Sequence, residues 1–151
     1  MSTPMPPESL DFLLAQICHL HHTRSHQLLE ALGLYRGQPP MLRALWEQEG
    51  LTQSALAKSL KITPATCTKM LQRMEKTGFI KRQTDSVDQR VTRVYLTDAG
   101  RLIQDQVVKV WETMDSESFA GLSADQRSTL RSYFLHIRQN LLDATGVEPW
   151  K

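Results

Sequence analysis

Residues 51–100 read LTQSALAKSLKITPATCTKMLQRMEKTGFIKRQTDSVDQRVTRVYLTDAG, and a change of period inside this stretch decides the fold. Before Gly78 the apolar residues recur every three or four positions: Leu56, Ala57 and Leu60, then Cys67, Met70, Leu71 and Met74. That spacing gathers each set on one face of a helix. After Gly78 the pattern alternates, with Thr92, Val94 and Leu96 on one side of a strand and Arg93 and Tyr95 on the other. The stretch therefore predicts two short helices joined by a tight turn. A β-hairpin over 80–83 and 92–96 follows, with the polar loop TDSVDQR at its tip.

Both helices carry start signals. Thr52 can cap the first while Leu51 packs on Leu56. Thr63 can cap the second, Pro64 suits its first position, and Ile62 can pack on Cys67. With Cys67, Met70, Leu71 and Met74 turned inward, the opposite face presents Ala65, Thr66, Thr68, Lys69, Gln72 and Arg73. These types suit a helix lying in the major groove of duplex DNA, where guanine takes Arg or Lys, adenine takes Gln, and the thymine methyl takes Thr or Ala. The Thr63 start also points unpaired N–H groups outward, as a phosphate requires. Arg90, near the hairpin tip, suits the negative potential of an adjacent minor groove, and Asp88 can hold it extended by a bidentate pair. The candidate binding set is thus Thr63, Ala65, Thr66, Thr68, Lys69, Gln72, Arg73, Asp88 and Arg90.

Charge supports this placement. The net charge of +2 is unremarkable, but residues 51–101 hold ten Lys/Arg against four acidic residues, while the rest holds eight against twelve. A basic module set in an acidic frame implies a polyanionic partner for the module alone.

Outward from this stretch, a glycine followed by an apolar residue recurs at Gly33, Gly50, Gly78, Gly121 and Gly146, each after a helical pattern. The order is four helices, a hairpin and two helices. Pro39 and Pro40 open the second helix, which buries Met41, Leu42, Leu45 and Trp46. A long helix from Asp98 turns Leu102, Ile103, Val107, Val110, Trp111 and Met114 inward. Ser123 and Gln126 form a capping box for the last helix. The fold class expected is mainly α with a small hairpin. Three parts follow: residues 1–34 and 101–151 as a helical dimerisation frame, and residues 35–100 as the DNA-binding domain. The end helices, about 9–32 and 123–145, carry wide apolar stripes and no core of their own, so a homodimer is expected. Residues 1–7 are Pro-rich and expected to fray.

Several classes are disfavoured. No apolar run approaches the roughly 18 residues of a membrane helix, and the N-terminus lacks an export pattern, so a cytoplasmic chain is expected. Cys18 and Cys67 are too few for a disulfide framework. Cys67 is expected to pack inward, and Cys18 to be a buried, inert thiol. No Gly-rich loop or oxyanion pattern accompanies either, so no enzyme and no cofactor is expected. Four histidines crowd into 19–26; His22 and His26 have the i, i+4 spacing of a helical metal pair. The other candidate ligands are scattered carboxylates and His136, so no metal site is expected, with His22 and His26 as the weak candidates. These histidines otherwise line the dimer interface or an effector pocket.

The segments LTQSALA at 51–57, TKMLQRMEKTGFI at 68–80 and DQRVTRVYLTDAG at 88–100 resemble the MarR family of winged helix-turn-helix regulators. The last carries the family's D-x-R wing followed by L-T-x-x-G. The resemblance implies a winged helix-turn-helix lobe on a dimer frame formed by both chain ends. Recognition helices would enter successive major grooves of a palindromic operator, with wings in the minor groove. It implies Thr68, Lys69 and Arg73 as groove-facing residues and Asp88 with Arg90 as the wing pair. It also implies a small-molecule effector pocket between frame and DNA-binding lobe, hence a transcriptional regulator, a repressor relieved by its effector. The alternatives are a metal- or redox-responsive regulator of the same fold, or a winged-helix protein-interaction module.

Overall fold

The computed structural model describes Pro6 and residues 8–147; the fraying expected of residues 1–7 falls, apart from Pro6, outside them. The elements are α1 (Leu10–Glu30), α2 (Gln38–Glu47), β1 (Leu51–Thr52), α3 (Gln53–Ser59), α4 (Pro64–Lys76), β2 (Ile80–Thr84), β3 (Thr92–Leu96), α5 (Asp98–Ser118) and α6 (Ala124–Thr145). The expected caps are present: the Ala55 amide donates to Thr52 Oγ1 at 3.1 Å and the Thr66 amide to Thr63 Oγ1 at 3.2 Å. Ser123 and Gln126 form the capping box. The five glycine stops all have positive φ.

The sheet differs from a simple hairpin. β3 is central, pairing antiparallel with β2 through Ile80↔Leu96 to Thr84↔Thr92, and with β1 through Leu51↔Val94 and Thr52↔Arg93. A two-residue strand is too short to show a period, so β1 is invisible in the sequence. It fixes the start of α3 directly to the hairpin.

The chain divides into two units, Met1–Met114 and Asp115–Lys151. The first holds the core: Leu29, Leu34, Met41, Leu42, Leu45, Leu56, Cys67, Leu71, Met74, Ile80, Val94, Leu96 and the Ile103, Val107, Val110 and Met114 edge of α5 are all buried. Burying each large aliphatic side chain contributes roughly 1.5–3 kcal/mol, so the inner faces of α2, α3 and α4 are the main support of the lobe. Leu102 and Trp111, expected inward, are 69% and 47% exposed, because only the narrow 4-3-4 stripe of α5 meets the core. Cys18 is also exposed, correcting the expectation of burial: of α1, only Ser25 and Leu29 are buried, with Leu28 packed beside them, all at its C-terminal end.

In the second unit α6 has no buried residue, and Tyr133, Phe134, Leu135, Ile137 and Leu141 are exposed. Arg127 binds Asp115 at 2.8 Å and lies over the Phe119 ring. No described helix is long and apolar enough to cross a membrane.

Candidate nucleic-acid interface

The turn between α3 and α4 is fixed by side chains as well as by caps. Gln53 Nε2 donates to Thr68 Oγ1 at 2.6 Å, and Thr68 Oγ1 donates in turn to the Pro64 carbonyl at 2.9 Å. Cys67 is buried beneath this junction, and burial pushes its thiol pKa up, which keeps it protonated and unreactive. Thr68 is half-buried and both functions of its hydroxyl are in use, so it acts first as a tie between the helices. The Thr66 hydroxyl accepts from Thr63 Oγ1 at 2.9 Å. Sequence reasoning missed Gln53; its place on the first turn of α3, two positions after the staple residue, was the available signal.

Thr63, Ala65, Thr66, Lys69, Gln72 and Arg73 are exposed along one edge of α4. Among the described residues, neither Lys69 nor Arg73 is paired with a carboxylate. Other cations of the stretch are tied down. Arg82 binds Glu75 at 2.8 Å, Arg101 binds Glu49 at 2.9 Å, and Arg93 binds Asp85. Among the described residues α4 keeps Lys69, Arg73 and Lys76 without a salt bridge, as do Lys58, Lys61 and Lys81 elsewhere in the stretch, and Arg90 stands exposed at the wing tip.

That tip is built around Asp85. One carboxylate oxygen accepts the Val87 and Asp88 amides at 2.8 and 3.0 Å, while the other accepts Arg93 Nε. Arg93 also donates to the Gly50 carbonyl at 2.9 Å, joining the tip to the strand that leads into α3. The next Asp repeats the motif: Asp88 Oδ1 accepts both the Arg90 amide at 3.0 Å and Arg90 Nε at 3.2 Å. This contact is through one oxygen rather than the bidentate pair expected. Arg90 nevertheless stands 91% exposed, with Val87 beside it at 93%. Asp85 and Arg93 were not in the candidate set; an Asp opening a turn that closes on amides two and three residues later was the signal for them.

The Arg93 guanidinium, with the two amides, lowers the Asp85 pKa from an ordinary 3.8 to about 2. A depressed carboxylate pKa adds stability above the unfolded value, and that contribution is lost as pH falls through the folded one. The wing tip should therefore stay ordered to below pH 4 and loosen as pH approaches 2. Hydrogen exchange at the Val87 and Asp88 amides measures this. Asp85→Asn should give fast exchange at every pH, and a pH-independent wild type would contradict the assignment.

The model of the MarR family matches residues 34–92. The transcriptional regulator HosA of Escherichia coli O157:H7 is 32% identical over 115 residues, covering 76% of this chain and 83% of its own. The HTH-type transcriptional regulator TtmR of Methylorubrum extorquens is 29% identical over 147 residues, covering 93% and 73%. Among solved structures, a Staphylococcus aureus MepR mutant bound to an oligodeoxyribonucleotide superposes with a TM-score of 0.71 at 25% identity, covering 88% of this chain and 98% of that one.

Proposed function

The chain belongs to the MarR family of transcriptional regulators, and on that premise we propose that it binds a palindromic operator in double-stranded DNA as a homodimer. In this reading it is a repressor whose hold is relieved by a small-molecule effector. The observation that carries it is the exposed edge of α4, where Lys69, Gln72 and Arg73 stand without carboxylate partners beside a wing tip bearing Arg90.

The roles divide by what each group still offers. Lys69, Gln72 and Arg73 are free to reach base edges in the major groove. Ala65, with the Thr66 and Thr68 methyls, supplies apolar contact. The Thr63 cap presents the α4 N-terminus to a phosphate. Asp88 keeps Arg90 extended toward the minor groove. Division of the chain by role follows: residues 1–34 and 101–151 for dimerisation, and 35–100 for DNA. The exposed Leu10, Leu13, Ile17 and Leu20 of α1, and separately the exposed apolar residues of α6, are the surfaces a second copy would cover. An effector acts only if it binds more tightly to a dimer whose recognition-helix spacing mismatches the operator.

The test is fluorescence anisotropy with promoter DNA from the chain's own locus and a scrambled duplex, across a salt series. The expected result is two chains per specific duplex and a log–log salt slope of roughly −0.9 for each phosphate neutralised. Equal affinity for both duplexes, or one chain per duplex, would end the proposal.

A further inference from the structure

The histidine cluster of α1 is not absorbed by DNA binding, and its geometry is specific. His22 and His26, one turn apart, bring their Nε2 atoms to 3.1 Å, with ring centroids 4.3 Å apart and planes tilted by 57°. We propose that these two Nε2 atoms are adjacent ligands of a divalent transition metal of the imidazole-preferring class, of which zinc, nickel and copper are the members to test. This inference stands independently of the DNA-binding reading.

Three observations carry it. The first is the distance. At metal–nitrogen bonds of about 2.0–2.1 Å, two tetrahedral ligands lie about 3.3–3.4 Å apart and two octahedral ones about 2.9 Å. The observed 3.1 Å falls between these, so the two nitrogens already stand at a chelating separation, and each ring turns only to aim its Nε2 lone pair at the ion. The second is the protonation chemistry. The Nε2 contact needs one ring to carry its proton there and its neighbour to be bare. An ion in its place accepts a lone pair from both rings in their Nδ1-protonated tautomer. The third is preorganisation. His26 is half-buried, and the Ser25 hydroxyl donates to the His22 carbonyl at 2.9 Å, holding the backbone between the two rings. The His–x₃–His spacing on one helix face is the same device by which helical zinc sites present two ligands.

Among the described residues no three His, Cys, Asp or Glu side chains converge. The described residues thus supply two ligands, with water to complete the shell, which favours metals that value imidazole over the oxygen-seeking calcium and magnesium. His19 and Cys18, each within a turn of His22 and both exposed, are the groups that must be shown not to be ligands.

The test uses the full chain after chelator treatment, titrated calorimetrically with Ni²⁺ and with Zn²⁺. One ion per chain is expected, with His22→Gln and His26→Gln each weakening binding roughly tenfold or more. His19→Gln and His136→Gln should stay within about twofold, since neither contributes a ligand. His22 is exposed, so its variant keeps the helix, and circular dichroism verifies that. Cu²⁺-loaded protein adds a second readout: electron paramagnetic resonance should show two coupled imidazole nitrogens in the wild type and one in either variant. Absence of binding, affinity unchanged in both variants, or a thiolate charge-transfer band in Co²⁺-loaded protein would overturn the proposal.

Discussion

Gly100→Ala should destabilise the protein by about 3 kcal/mol, lowering Tm by roughly 6–12 °C for a chain of this size. On an open helix face the same change would raise stability, since Ala exceeds Gly by about 1 kcal/mol in helix propensity. The sign is reversed here by one contact. A Cβ on Gly100 would lie 2.0 Å from the Phe79 carbonyl oxygen and 3.2 Å from Leu96 Cδ2. The carbonyl cannot move away cheaply, because it accepts the Thr97 amide at 3.0 Å. Thr97 in turn caps the Gly100 amide and donates to the Gly78 carbonyl. The Gly100 carbonyl accepts Trp46 Nε1 at 2.8 Å, so α2, the hairpin and the start of α5 meet at this residue. Gly121→Ala is the comparison: its added Cβ meets nothing within 4 Å, but φ is +79°, so only backbone strain of about 1 kcal/mol is expected. Thermal denaturation of both variants decides the matter. A Gly100→Ala loss no larger than that of Gly121→Ala would refute the close-contact account.

That junction also shows what a sequence can and cannot convey. Gly100 sits in the L-T-x-x-G segment that carries the resemblance, yet no local rule says why the first turn of a helix should need glycine. The reason is a carbonyl 21 positions earlier. Features whose causes are local were legible: the Thr52, Thr63 and Ser123 caps, the turn glycines, the Cys67–Leu71–Met74 stripe and the period change at Gly78. Features requiring a partner distant in sequence were not. The β1 pairing, the Gln53–Thr68 bond and the Arg93 link to Gly50 span 15 to 43 positions, and no periodicity encodes them. Burial failed at Leu102 and Trp111 for a related reason: an apolar stripe indicates which side of a helix is favoured, while the width of the surface it meets depends on the neighbours.

The same distinction governs the candidate site. Composition identifies ten basic residues in 51–101 and treats them alike. Coordinates separate cations committed to the fold from those left for a ligand. Arg101 is held by Glu49, whose carboxylate also accepts the Leu96 amide at 2.9 Å. Burial raises the Glu49 pKa, but that amide and Arg101 outweigh it and leave it lowered, so the pair stays charged at neutral pH. Arg82 and Arg93 brace the hairpin in the same way. Counting all ten as DNA contacts would overstate the salt dependence of binding, because a cation already neutralised within the fold releases fewer counterions.

Arg73→Ala should therefore produce the largest loss of operator binding, about 1–3 kcal/mol, and should relax preference among operator variants. The guanidinium stands on the exposed edge of α4, and truncating it leaves the buried Cys67, Leu71 and Met74 face untouched. Folding is thus preserved, and the measured change belongs to binding. Arg90→Ala is expected to act differently. Asp88 holds Arg90 at the tip of a wing braced by Asp85, where the groove it would enter presents negative potential but little sequence information. Its loss should weaken specific and scrambled duplexes by similar factors and reduce the salt slope by roughly one. Asp85→Asn supplies a third arm: with Arg90 retained but its platform loosened, affinity should fall between the wild type and Arg90→Ala. Anisotropy titrations of these variants on operator, single-base operator variants and scrambled DNA separate the roles. If Arg73→Ala and Arg90→Ala altered specificity equally, α4 would not be the element that reads sequence.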